Sequence, residues 1–379
     1  MVTAINFSAG MNFFALMYVM PLFSMNAMNL KEGLAGIVTG MFLFGVLSAR
    51  FFSGRYIHDI GYKRLLSIGL IGMAVVSILY FFVNGLVMLL IVRFLNGFTF
   101  SVISTTNITI VTNIIPKERS GEGIGYYSMG QIFAMAIGPF FSITFGANGN
   151  FNAVFAIAMA LPMASTILLP FINLKNVEFD KPKGKTTFVK QFFETKALPI
   201  GIFSAIVIIS NGTSISFLSV FAKQFDMVTI ASIYPILTAV VSIVTRPLFS
   251  KRFDKKGANA VCYPAIICFI IGWIIMSLKG QDGIFLLIAA IPIGTATGAI
   301  QMACLAIVMS LVPRDRLSVG NATYYAMIDL AAAMGPVMAG ALLPIFGFGG
   351  LFNITLTVGV LCIPLYYLLH GRKRIMPEK

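Results

Sequence analysis

The sequence predicts an all-α membrane protein of about twelve transmembrane helices in two pseudo-symmetric six-helix halves. Three observations predict it. Hydrophobic residues make up 58% of the 379 residues and charged residues only 11%, where a soluble domain carries about 25% charge. So few charges cannot cover a surface in water, so lipid must solvate much of the chain. Next, the segment from Arg50 to Gly61 recurs as Arg246 to Gly257, and Pro116-Lys117-Glu118-Arg119 recurs as Pro313-Arg314-Asp315-Arg316. Gly138-Pro139 returns as Gly335-Pro336, and every displacement is 196 or 197 residues, which implies two halves on one plan. Finally, under a twelve-span reading all but four of the 27 Lys and Arg fall on one side. Lys31, Lys223 and Lys279 fall on the other, and Arg93 lies inside a span.

The spans are apolar runs near the ~20 residues that cross a hydrocarbon core of ~30 Å. Those of the first half are expected at 3–27, 33–54, 64–84, 86–114, 121–146 and 151–173. Span one starts almost at Met1 with no basic residue before it, so it reads as a retained helix rather than a cleaved leader. Span two ends in the repeated basic segment. Span three is the apolar run Leu65 to Val83, span four carries Arg93, and span five carries Gly138-Pro139. Residues 174–196 form the only long polar stretch, with six Lys, and read as a cytoplasmic linker. A surface helix over Thr187 to Glu194 is an alternative to a plain solvated connector, which is the favoured reading.

The second half is expected at 197–222, 228–250, 259–278, 283–312, 318–346 and 348–369. Span seven carries Ser210-Asn211-Gly212-Thr213-Ser214, span eight ends in the repeated segment, and span nine is the run Ala258 to Leu278. Span ten carries Thr297 and Gln301, and span eleven carries Asp329. The domains are therefore 1–173, a linker 174–196, and 197–379. Strands of a barrel would show ~10-residue alternating segments, and the chain has none.

The net charge of +14 suggests nucleic-acid binding at first sight, but its one-sided distribution is a topology signal. The positive-inside rule puts both termini of the multi-pass chain in the cytoplasm, and the plasma membrane is its expected location. Cys262, Cys268, Cys304 and Cys362 fall in spans and read as packing residues. His58 and His370 are the only histidines, so no metal set is expected. No phosphate-cradling loop or catalytic triad is visible, so neither an enzyme nor a cofactor is expected. Two large repeated halves in a membrane chain point first to a secondary transporter.

Charge inside the bilayer marks the candidate site. Asp329 lies ~16 Å into span eleven and Arg93 ~10 Å into span four, at 1.5 Å per residue. Buried charge is costly and normally functional. Asp329 is the first candidate to take and release a proton, Arg93 the second coupling residue, and Glu122 at the mouth of span five the next acid. The alternatives are a helix–helix hydrogen bond for Asp329 and a packing contact to carbonyls or an acid for Arg93. Asn12, Asn107, Gln131, Asn211, Gln301 and Tyr325 sit at mid-span depth and are candidates to line a substrate path. Each alone reads more readily as a packing hydrogen bond than as a ligand contact.

These motifs resemble those of the major facilitator superfamily. Gly54, His58, Asp59 and Gly61, with Lys63 and Arg64 following, resemble its glycine-bearing gate loop after the second helix. His58 stands where the family's acid usually stands and Asp59 where its Arg stands. Asp254 holds the acid position of the second half, and Gly257 repeats Gly61. Arg93-Phe94-Leu95-Asn96-Gly97 is similar to the family's Arg-x-x-x-Gly element. Gly130 with Gly138-Pro139 resembles its antiporter element, and the run from Pro116 to Gly125 resembles a loop of Gram-positive efflux members. The resemblance implies the major facilitator fold, with spans one, four, seven and ten lining the path. It also implies a proton-coupled efflux antiporter of small amphiphilic compounds, working as a monomer by alternating access. Expected partners are a small-molecule substrate, protons and lipid, and not nucleic acid. An exporter or symporter of a defined metabolite (a sugar, an amino-acid-like compound or a metallophore) is the same-fold alternative. A non-transporting membrane receptor is the other.

Overall fold

The computed structural model describes residues 1–114, 120–169, 194–279, 282–312 and 317–372. Within these, the side chains of 51–59, 112–113, 120–126, 128, 168, 279, 317–318 and 322 are not described. Most of the linker expected over 174–196, the loops 116–119 and 313–316, and the side chains of His58, Asp59 and Glu122 therefore lie outside the described residues.

Contacts divide the chain into two units, Met1–Lys183 and Gly184–Lys379. The first holds α1 (Val2–Asn26), α2 (Glu32–Ile60), α3 (Tyr62–Leu79), α4 (Leu86–Ile114), α5 (Ser120–Ala147) and α6 (Phe151–Leu168). The second holds α7 (Leu198–Ile215), α8 (Leu218–Gln224), α9 (Val228–Lys256), α10 (Asn259–Lys279), α11 (Gly283–Leu311) and α12 (Leu317–Tyr366). Among the described residues ten helices are long and apolar enough to cross a membrane, against twelve expected spans. The difference falls in two places. Phe151–Ile167 is a shorter apolar helix, and Val319–Gly371 is one run of 53 residues. That run breaks at Gly347, whose φ of 64° lies outside helix and favours glycine.

Two expected boundaries need correction. Span two was expected to end at 54 and span eight at 250, with a loop beyond each. Instead α2 continues to Ile60 and α9 to Lys256. Loss of hydrophobicity marks the edge of the bilayer and not the end of a helix. Basic residues in a last turn favour helix by complementing its dipole, as Lys255 and Lys256 do here. The turn itself shrinks to almost nothing. Gly61, at φ 88°, is the single residue between α2 and α3, and Gly257, at φ 79°, closes α9 in the same way. Span seven departs as well. It breaks after α7 at Ser216 and Phe217, where Ser216 Oγ donates to the Gly212 carbonyl.

Packing repeats between the units more fully than the sequence motifs do. A Cβ at Gly97 of α4 would fall on the Phe42 carbonyl of α2. In the second unit a Cβ at Gly294 of α11 would lie 2.6 Å from the Thr238 carbonyl of α9. The α1–α5 contact is built on small residues four apart: Gly130, Ala134, Gly138, Ser142 and Gly146. A Cβ at Gly138 would lie 2.8 Å from Phe14 Cβ and 3.1 Å from Ala15 N, and Ser142 Oγ donates to the Ala15 carbonyl. Its counterpart is Gly335 of α12, which meets the backbone of Gly212 in α7. Without a hydrophobic drive between helices in lipid, such close backbone approach supplies much of the packing energy.

Candidate functional site

In the first unit, α4 places Arg93 two turns inside the bundle, where it is 1% exposed. Its Nε donates to the Val38 carbonyl at 3.3 Å and its Nη2 to the Thr39 carbonyl at 3.2 Å. Nη1 donates to Tyr80 Oη at 3.5 Å, and the guanidinium lies 5.0 Å from the centroid of the Phe42 ring. Arg93 is thus held by α2 and by the turn after α3. Gly97, one turn on, lets the same stretch of α2 approach. The Arg-x-x-x-Gly element therefore acts locally as a clasp between α2 and α4. Tyr80 and Phe42 were not anticipated, since nothing near them in sequence signals an arginine partner.

Asn12 is fully buried and engaged within its own unit. Its Nδ2 donates to Ser77 Oγ at 2.9 Å and to the Ala158 carbonyl at 2.8 Å, while its Oδ1 accepts from Asn96 Nδ2 at 2.9 Å. It ties α1 to α3, α4 and α6. Asn107 donates to the Val2 carbonyl at 2.9 Å, which fixes the start of α1 to α4. Gln131 packs its amide against Gly10, where a Cβ would lie 3.0 Å from Oε1. Gly130 and Gly138 serve the α1–α5 contact, and Pro139 is buried beside them within α5. Arg64 is exposed on the first turn of α3.

In the second unit, α12 carries Asn321, Tyr325 and Asp329 at four-residue spacing, which puts them on one face. Tyr325 is exposed and Asp329 partly buried. The Tyr324 hydroxyl hydrogen-bonds Ser204 Oγ of α7 at 3.1 Å and donates to the Gln301 carbonyl of α11 at 3.4 Å. Tyr325 stacks edge-on against Tyr324 with centroids 5.6 Å apart. Tyr325 and Asp329 thus share a face of α12, and Tyr324 beside them reaches the backbone carbonyl of Gln301 on α11. Asn211 stands apart on α7, with its Oδ1 buried and accepting no hydrogen bond among the described residues; the same holds for Asn321 Oδ1. Asn321 was missed, although its spacing from Tyr325 and Asp329 was a legible signal. Asp254 is exposed near the end of α9. Among the described residues no three His, Cys, Asp or Glu side chains are grouped to hold a metal.

The arrangement gives the second unit a polar helix face with one acid, and the first a buried cation held by two carbonyls, a phenol and a ring. The sequence profile of the Major Facilitator Superfamily matches residues 2–281. The chain is similar to the multidrug resistance protein MdtG of Proteus mirabilis (strain HI4320), 24% identical, over 93% of this chain and 90% of that one. It is similar to MdtG of Salmonella schwarzengrund (strain CVM19633) at 23%, over 92% and 87%. Among solved structures, a point mutant of the nucleoside transporter NupG superposes with a TM-score of 0.80 at 12% identity, covering 97% of this chain and 98% of that one. A bacterial homologue of the human lysosomal transporter Spinster superposes at 0.76 and 16%, covering 100% and 98%.

Proposed function

Since the chain belongs to the Major Facilitator Superfamily, we propose that it is a secondary active transporter that exports small amphiphilic compounds in exchange for protons. The observation that carries export is the likeness to the multidrug-resistance relatives, which extends over nearly the whole of both chains. The nucleoside transporter shares the fold alone at 12% identity and leaves the substrate open. The proton is assigned to Asp329, the one acid on the polar face of α12. An ionised carboxylate at that depth is costly, so gaining and losing a proton changes the energy of the state that buries it. Asn211, Asn321 and Tyr325 offer acceptors and a hydroxyl to a substrate. Arg93 enters as a positioning residue that holds α2 on α4. Both termini are placed in the cytoplasm, in the plasma membrane.

Purified protein in proteoliposomes, given an imposed pH gradient and a fluorescent amphiphilic dye, tests the reading. Gradient-driven dye movement is expected. Movement of a sugar or amino-acid-like compound without dye movement would favour the metabolite transporter. Movement of neither, under any gradient, would favour a receptor.

A further inference from the structure

In the second unit α10 and the later part of α12 are stitched together at both ends. At one end Asn259 Nδ2 donates to the Gly371 carbonyl at 3.0 Å, and the Tyr366 hydroxyl donates to Asn259 Oδ1 at 2.9 Å. At the other, Ser277 Oγ donates to Asn353 Oδ1 at 2.8 Å. Along either helix these stitches are about 27 Å apart at 1.5 Å per residue, close to the ~30 Å of a hydrocarbon core. The large side chains exposed between them are apolar: Ile267, Ile271 and Ile274 on α10, and Val360, Leu361 and Ile363 on α12. A face of that length and chemistry is covered by acyl chains.

The face ends in a cationic edge. Tyr367 is 50% exposed, and the Arg372 guanidinium lies 5.2 Å from the centroid of its ring. The backbone there passes close to α10, since a Cβ at Gly371 would come 2.7 Å from the Tyr263 hydroxyl. Asn259, which grips Gly371, follows closely on Lys255 and Lys256 at the end of α9. Three residue steps put the Lys256 and Asn259 Cα atoms within about 11 Å. Lys251 and Lys255, and likewise Arg252 and Lys256, are like charges four residues apart, an arrangement that repels. Asp254 is the acid on this turn, and it is exposed. The helix dipole and the topology rule account for an excess of bases at a helix end. The aromatic belt likewise places tyrosines at such an edge, and here an arginine is held over the exposed ring where the apolar face stops.

We propose that this edge binds the headgroup of an anionic phospholipid, its phosphate between Arg372 and Lys256 and its acyl chains along the α10–α12 face. The proposal needs only that the chain spans a membrane, so it stands or falls apart from the transport reading. Native mass spectrometry of the full chain in detergent, titrated with phosphatidylglycerol and with phosphatidylcholine of the same acyl chains, tests it. The wild type should hold phosphatidylglycerol more tightly. Arg372→Gln with Lys256→Gln should weaken that binding about thirtyfold, at ~1 kcal/mol per cation near a membrane surface. Arg372→Gln alone should weaken it roughly fivefold and serves if the double variant does not purify. Lys31→Gln should change nothing. Equal melting temperatures of wild type and variants in phosphatidylcholine micelles check that folding is intact. Equal binding of both lipids, or unchanged phosphatidylglycerol binding in the variants, would overturn the proposal. So would inorganic phosphate competing as well as the lipid, or a dimer whose formation excludes both lipids.

Discussion

A buried arginine commonly meets a carboxylate; among its described partners Arg93 meets two carbonyls, a phenol and a ring. Its charge-assisted bonds are each worth about 1.5–3 kcal/mol, so its removal should first be felt in folding. Arg93→Ala is expected to lower the melting temperature in detergent and reduce transport in proportion to folded protein. Arg93→Lys should recover part of both, because an ammonium lacks the rigid fork that reaches two carbonyls at once. Asp329 should behave differently. Asp329→Asn keeps the shape of the side chain and removes its proton exchange, so pH-driven accumulation should vanish while counterflow of substrate persists. Full pH-driven transport by that variant would reduce Asp329 to a packing residue and move attention to Glu122. The burial of Arg93 was legible in sequence, because a lone Arg in an apolar run stands out. Its surroundings were not, because Val38, Thr39 and Tyr80 reach Arg93 across helices and leave no local pattern. Asn12 shows the same limit. Its mid-span position was plain, but its commitment to Ser77, Asn96 and Ala158 is a property of four helices together.

The elements turn on a few glycines whose costs differ in kind. Gly97→Ala sets a methyl group on the Phe42 carbonyl, so α2 and α4 must part and take the Arg93 contacts with them. A loss of at least 1–3 kcal/mol is expected from overpacking alone, read as a lowered melting temperature or loss of folded protein. Gly61→Ala meets no neighbour within 4 Å. Its cost comes from its backbone conformation alone, φ 88° with ψ 141°, roughly 1–3 kcal/mol. Gly349→Ala also meets nothing, has no positive φ, and should be nearly silent. Equal losses in the three variants would contradict this ranking. The apolar runs made most helices legible, and the division at Gly347 matches the expected boundary between 346 and 348. The break at Ser216 and Phe217 was hidden, since neither residue punctuates a helix as Gly or Pro does. The polar ends of α2 and α9 were hidden for the opposite reason, since water-soluble composition masked continuing helix.

At the scale of the molecule, the repeat extends from motifs to contacts. Gly97 and Gly294, Gly138 and Gly335, and Gly61 and Gly257 hold equivalent places in units that otherwise differ widely. The topology can be tested directly. A cysteine placed within 174–196 is expected to react with a membrane-impermeant reagent only in opened cells; labelling from outside intact cells would reverse the orientation. The turn at Gly61 also bears on how the protein is made. One residue leaves no slack between α2 and α3, so neither helix can settle in the bilayer at its own depth. Each such pair is expected to enter the bilayer as a hairpin when the chain leaves the insertion machinery. Lengthening that tip by a few residues should therefore disturb biogenesis before it disturbs the finished protein.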